Sequence, residues 1–201
     1  MVLDVRNGTG SLVEMLHVEA RRRGIDADQL DAPTAFRLVR DMPYKRAKDR
    51  MPQTTIREWR GTCSGKHYLL KSVFEELGLR STLMASPHYI SVEVIASLPA
   101  AIREVAQGKP VADVHNYLVA ESPMGPMIVD ATWPLGSQSL GMVVNEAFVW
   151  GEDMQLACSP IRTLEVPVGS DPEQFKHDVL RASFTPQELD VRTRFFAAVT
   201  R

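Results

Sequence analysis

Apolar residues near the start of the chain recur with a helical period. Between positions 12 and 20 they lie three or four residues apart, which predicts a helix capped at Thr9 or Ser11. A second stripe with the same period, at positions 35–39, predicts a helix that ends near Pro43. The N-terminal part of the chain is therefore predicted to be helical.

A third helix is predicted after a polar run at positions 44–54, which is typical of a loop. This helix begins at Cys63, continues through the apolar residues 68–77 and stops at Gly78. Cys63 is thus expected at the N-terminus of a helix.

Beyond Gly78 the pattern changes to short apolar or alternating runs that are typical of β-strands. Strands are predicted at residues 79–84, 88–95, 114–120, 127–130, 142–148 and 161–168. A turn signal at 122–126 joins the third and fourth of them, and a short helix is predicted at 99–107.

Two helices are predicted at the C-terminal end. One begins at Asp171-Pro172, and the other at Thr185, with proline next and the capping-box Glu188 three residues later. Helices followed by an antiparallel sheet predict an α+β fold, with residues 1–201 forming one domain.

Composition and charge narrow the function classes. The chain has 201 residues, 44% of them hydrophobic and 24% charged, as expected of a soluble globular protein. A net charge of −2 gives no basis for binding nucleic acid or an anionic membrane. No signal peptide and no apolar run of roughly 20 residues is visible, so a cytoplasmic location is predicted. The sequence leaves the oligomeric state open.

The two cysteines are predicted to be free thiols with different roles. Cys63, at a helix N-terminus, faces the positive end of the helix dipole, which lowers the pKa of a thiol and makes it a nucleophile. Cys158 lies in a mixed segment without a basic neighbour and is predicted to be structural.

A thiol nucleophile requires a base and a group that orients the base. His115 lies within one predicted strand and Asp130 at the end of the next, so antiparallel pairing would place them side by side. The main-chain N–H of Cys63 is a candidate oxyanion donor. The alternatives are a buried core cysteine, a hydrogen-bonded strand histidine and a turn aspartate.

These motifs resemble the transglutaminase-like superfamily. The resemblance rests on three motifs in a fixed order: Gly61-Thr-Cys63 before a helix, then His115-Asn-Tyr, then Val-Asp130-Ala-Thr-Trp-Pro134. Residues 39–44 also resemble the segment that precedes the cysteine in this family. It implies a papain-like α+β fold whose core spans about residues 35–135, with helical additions at both ends. N-terminal helices would accompany a nucleophile helix packed on an antiparallel sheet, and Cys63, His115 and Asp130 would form a triad.

The sequence departs from the family pattern at His115-Asn116-Tyr117, where the family often has His-Ala-Trp. This change is expected to alter the pocket wall, so Asn116 and Trp133 are candidate substrate contacts. Tyr44 and Trp59 are the candidates for a second oxyanion donor.

The resulting hypothesis is cysteine-dependent acyl transfer through a thioester acyl-enzyme. The donor would be an amide or a thioester, which is either a small molecule or carrier-bound. An amine acceptor would make the protein an amide-forming acyltransferase, and water would make it a peptidase or amidase. A catalytically inactive binding module on the same fold is a further alternative.

No cofactor and no metal is predicted. Cys63 and His67 lie one helical turn apart, and together with His88 or His115 they form an alternative set of zinc ligands. Zinc sites usually show tighter clusters of cysteine and histidine than this.

Overall fold

The computed structural model of the chain describes residues 10–199. Four helices precede the first strand: α1 (Leu12–Arg22), α2 (Ala32–Asp41), α3 (Pro52–Glu58) and α4 (Cys63–Glu76). The remaining elements are β1 (Ser81–Ile90), α5 (Val92–Ala96), α6 (Ala100–Ala106), β2 (Val111–Ser122), β3 (Gly125–Val129), a 3₁₀ turn (Leu135–Leu140), β4 (Leu164–Glu165), α7 (Pro172–Ser183) and α8 (Pro186–Val199). The predicted α+β class is confirmed.

The four strands form one antiparallel sheet in the order β3-β2-β1-β4. β1 pairs with β2 along its whole length, but β3 pairs only with the C-terminal part of β2, from Leu118 to Ser122. The N-terminal part of β2, which carries His115, therefore has no β3 neighbour. His115 on this open stretch of β2 contacts Asp130, which follows β3.

The two faces of the sheet are covered by different helices, because side chains alternate along a strand. Leu118 and Ala120 of β2 pack in the main core with the N-terminal helices, and Val114 on the same face packs against α7. Val111, on the opposite face, packs against Phe195 and Phe196 of α8. β2 is consequently buried on both sides, and its polar residues need partners from the surrounding helices.

Most predicted helix ends are found within one or two residues of their expected positions, whereas most predicted strands differ by more than that. Ser11 caps α1 by accepting a hydrogen bond from the Glu14 N–H at 3.3 Å, whereas Thr9 lies outside the described residues. At α8, the Glu188 side chain accepts from the Thr185 N–H at 2.8 Å and the Glu188 N–H donates to the Thr185 hydroxyl at 3.3 Å. The predicted capping box is therefore confirmed.

Two predicted strands are wrong or shortened. Residues 142–148 form no strand, and Phe148 instead packs its ring against Phe36 and Phe74 at 5.9 and 6.0 Å between centroids. Of residues 161–168 only Leu164 and Glu165 are in a strand. These apolar runs contact the core as extended loops, which periodicity does not distinguish from strands.

The predicted break between residues 84 and 88 is also wrong, since β1 continues through Pro87. The Pro87 carbonyl accepts from the Ile161 N–H at 2.9 Å, so the backbone of Pro87 faces away from β2. The missing N–H of proline thus breaks no hydrogen bond between β1 and β2. The predicted strand at 88–95 ends at Ile90, and α5 follows it.

None of the helices within residues 10–199 is both long enough and apolar enough to cross a membrane.

Candidate active site

Cys63 is the first residue of α4, as predicted, and Thr62 is the N-cap. Only 4% of Cys63 is exposed. The preceding Gly61 packs closely on the first turn of α4, because an added Cβ would lie 3.2 Å from Lys66 Cγ and 3.3 Å from Thr55 Cγ2. The glycine therefore allows the chain to enter the helix at the point where the thiol is needed.

The structure brings His115 and Asp130 into direct contact. His115 Nε2 lies 2.8 Å from Asp130 Oδ2, and that oxygen also accepts from the Ala157 N–H at 2.8 Å. The other oxygen, Oδ1, accepts from the Thr132 N–H at 3.1 Å. These hydrogen bonds fix the orientation of the Asp130 carboxylate, and the carboxylate in turn fixes the orientation of the His115 imidazole.

The protonation states follow from these contacts. Burial lowers the pKa of His115, but the Asp130 carboxylate outweighs burial and raises the pKa to about 10. Burial likewise raises the pKa of Asp130, but the His115 charge and hydrogen bond hold it well below its usual range. At neutral pH the pair is an imidazolium next to a carboxylate.

The Cys63 thiol interacts with the His115 ring, whose Nε2 is engaged by Asp130. Burial raises the pKa of the Cys63 thiol, but the Lys176 ammonium and the His115 imidazolium outweigh burial and lower the pKa to about 6. Between about pH 6 and 10 the pair is therefore a thiolate and an imidazolium.

Lys176, on α7, is a site residue that the sequence analysis missed. Its Nζ lies 3.9 Å from Cys63 Sγ and donates to the Ser64 hydroxyl at 2.9 Å, and only 5% of the residue is exposed. A signal for it exists in the sequence: Lys176 lies three and four residues before the buried Val179 and Leu180. A lysine on the apolar stripe of a helix is buried, and a buried charge requires a partner.

Asn116 links Ser64 of α4 to Met84 of β1 through its side-chain amide. Its Oδ1 accepts from the Ser64 hydroxyl at 2.9 Å, and its Nδ2 donates to the Met84 carbonyl at 2.9 Å. Asn116 is fully buried and lies outside the cavity lining, so it does not occupy the substrate-contacting position predicted for it. It positions Ser64, which in turn accepts from Lys176.

The two predicted oxyanion donors lie in different places. The hydroxyl of Tyr44 lies near the backbone N–H of Cys63, and burial together with the Cys63 charge raises the pKa of Tyr44 well above its usual value. Trp59 instead packs in the hydrophobic core, with the Arg23 guanidinium 5.2 Å from its ring centroid. Tyr44 thus lies in the cavity wall beside Cys63, and Trp59 is not part of that wall.

His67 and Lys66 fix the segment after Asp130 to α4. His67 Nδ1 donates to the Cys63 carbonyl at 2.7 Å, and its Nε2 accepts from the Ala131 N–H at 2.9 Å. Burial lowers the pKa of His67 to about 4, so the ring is neutral. Lys66 Nζ donates to the Thr132 carbonyl at 2.9 Å.

His67 therefore has both ring nitrogens engaged by the backbone. Among residues 10–199, no three histidine, cysteine or acidic side chains gather in a way that would hold a metal ion.

A cavity of about 570 Å³ opens on Cys63 and His115. Trp133 lies in its wall and packs against Tyr44 with 4.2 Å between ring centroids. Cys158 also lines the cavity, but burial raises the pKa of its thiol to about 12, so it is not a second nucleophile. The cavity has the volume of a small-molecule site.

Comparisons of this chain with protein-family models, with curated proteins and with solved structures found no match.

The pH dependence of Cys63 alkylation is the first testable consequence. In a Cys158→Ser background, the rate of reaction with iodoacetamide is expected to rise with a midpoint near pH 6, because the pKa of Cys63 is lowered to about 6. A free thiol would show a midpoint near pH 8.5. Rates measured by intact mass from about pH 4 to 9 distinguish the two, and a midpoint near the free-thiol value would contradict the ion pair.

Proposed function

We propose that the protein is a cysteine acyltransferase or amidohydrolase of the transglutaminase-like type, with a papain-like arrangement of Cys63, His115 and Asp130. The observation that carries the proposal is the 2.8 Å contact of His115 Nε2 with the Asp130 carboxylate, in a cavity that Cys63 and His115 both line. The lowered pKa of Cys63 and the adjoining cavity support it.

In the first half-reaction the Cys63 thiolate attacks the carbonyl carbon of an amide or thioester. The Tyr44 hydroxyl donates to the developing oxyanion, and the backbone N–H of Cys63, which faces the phenol oxygen, supports this donor. The C–N or C–S bond then breaks, and the His115 imidazolium gives its Nδ1 proton to the leaving group. Cys63 is left as a thioester, and His115 is left neutral.

In the second half-reaction neutral His115 takes a proton from the acceptor, which attacks the thioester carbonyl. The C–S bond breaks and the Cys63 thiolate leaves, which restores the thiolate–imidazolium pair. An amine acceptor gives a new amide, and water gives a carboxylic acid. Asp130 keeps its negative charge throughout and orients the ring.

Formation of an acyl-enzyme is the test of this function. Incubation of the Cys158→Ser protein with N-acetylcysteamine thioesters is expected to add the mass of one acyl group, and peptide mapping is expected to locate it on Cys63. Added amines that shorten the lifetime of the adduct and yield amides indicate a transferase, whereas decay at the same rate without amines indicates a hydrolase.

Cys63→Ala is the matched control and is expected to take up no acyl group. The protein would be the inactive binding module instead if no thioester acylates Cys63 and if the pH midpoint of Cys63 alkylation is that of a free thiol. That result would overturn the proposed function.

A further inference from the structure

We propose that the cavity binds an uncharged, apolar acyl group much larger than acetyl, of about six carbons or more. The inference rests on the proposed function and names the substrate class of the same site. Its basis is the volume, the lining and the charge pairing of the cavity that opens on Cys63.

The volume of the cavity exceeds what a short acyl group needs. About 570 Å³ lies beside the thiol, whereas one water molecule takes about 30 Å³ of the liquid. An acetyl group is only a few times larger than a water molecule and would leave most of the space unfilled. A long acyl group attached to Cys63 has room to extend along the cavity.

One wall of the cavity is apolar and comes from three separate elements. Ile90 ends β1, and Val94 and Leu98 lie on and just after α5. Phe195 and Phe196 of α8 complete this wall. Side chains of this type exclude water and favour hydrocarbon over polar groups.

A second part of the lining is also apolar. Met142, Met154 and Leu156 line it, and they belong to the irregular segment that follows the 3₁₀ turn. Methionine side chains adapt to ligands of irregular shape. An extended acyl chain in the cavity would therefore contact hydrophobic side chains from both parts of the lining.

The charged groups of the cavity wall are already paired. Asp113 Oδ1 accepts from Arg192 Nε at 2.8 Å and from Nη2 at 2.6 Å, and the Arg192 guanidinium lies 5.0 Å from the Phe196 ring centroid. Burial lowers the pKa of His88 to about 4, so this wall histidine is neutral. A charged acyl group would therefore lose its hydration without gaining a partner among these residues.

A series of thioesters tests the inference. Four thioesters of N-acetylcysteamine are compared, with acetyl, butanoyl, hexanoyl or succinyl as the acyl group. The second-order rate constant of Cys63 acylation is measured for each of them by intact mass. Each buried methylene favours binding by up to about fourfold, so hexanoyl is expected to react roughly 100-fold faster than acetyl. Succinyl, with a charged end, is expected to react more slowly than butanoyl.

A matched pair of variants on α5 locates the acyl group. Val94→Asp places a charge on the cavity wall and is expected to reduce the preference for hexanoyl over acetyl by at least about tenfold. Val92→Asp is the control, because Val92 is on the same helix, is 38% exposed and does not line the cavity. It is expected to keep the preference of the unmodified protein.

Two results would overturn the inference, and they separate it from the proposed function. Acetyl and hexanoyl thioesters that acylate Cys63 at equal rates would contradict the apolar acyl site while leaving the cysteine chemistry in place. Acylation by no thioester, together with a free-thiol midpoint for alkylation, would overturn both. The chain-length series uses the unmodified cavity, so this conclusion does not depend on how Val94→Asp folds.

Discussion

Replacement of His115 with Gln is expected to lower kcat/KM for acyl transfer at pH 7 by about 10³- to 10⁴-fold. The variant loses the imidazolium that hydrogen-bonds to Cys63 and that raises the thiolate population. It also loses the proton donor for the leaving group and the base for the acceptor. A single substitution thus removes an electrostatic and a chemical contribution together.

The two contributions are separated by measuring alkylation beside turnover. Iodoacetamide needs only the thiolate, so in His115→Gln its reaction with Cys63 is expected to show a midpoint above pH 6, because one of the two nearby cations is absent. Turnover needs proton transfer as well and is expected to fall further than alkylation at every pH. His177→Gln, at an exposed position of α7, is the matched control. Unchanged turnover in His115→Gln would contradict the assignment of the base.

The meeting of His115 and Asp130 could be predicted from the sequence, because the relation is local. His115 lies on β2 and Asp130 directly follows β3, and the turn at 122–126 joins these two antiparallel strands. The paired part of the strands ends at Leu118 and Val129, so the contact forms just beyond it, where the chain after β3 still runs beside β2. The N-terminal position of Cys63 on α4 was predictable for a similar reason. Thr62 provides the cap position, and the apolar period fixes where the helix begins.

Elements that depend on tertiary packing could not be predicted in this way. α3 lies in a segment whose single strongly apolar helical residue is Ile56, and its helix is supported by burial of Thr55 and Ile56 rather than by an apolar stripe. Lys176 and Cys63 are 113 positions apart in the sequence. The apolar period of α7 does not indicate that this helix packs against the N-terminus of α4. The apolar stripe around Lys176 indicated that it is buried but not which group it contacts.

Replacement of Lys176 with Met is expected to raise the pKa of Cys63 and to slow its alkylation at pH 6 by at least about tenfold. Burial alone raises the pKa of this thiol, and the Lys176 ammonium is the strongest of the charges that oppose burial. Two unit charges about 4 Å apart interact by roughly 4 kcal/mol at an effective dielectric constant near 20. The separation between Nζ and Sγ is 3.9 Å, and the lysine is 95% buried, so solvent screens this pair little.

Methionine has nearly the length of lysine and fills the same space, so the variant removes the charge without opening a cavity. If Lys176 acted only as a packing residue of α7, its replacement would change the unfolding temperature and leave the midpoint of Cys63 alkylation near pH 6. Arg181→Met, on the exposed side of α7, controls for the loss of a positive charge elsewhere on the helix and is expected to leave that midpoint unchanged. A midpoint raised in Lys176→Met alone would show that α7, remote in sequence from α4, sets the reactivity of the nucleophile.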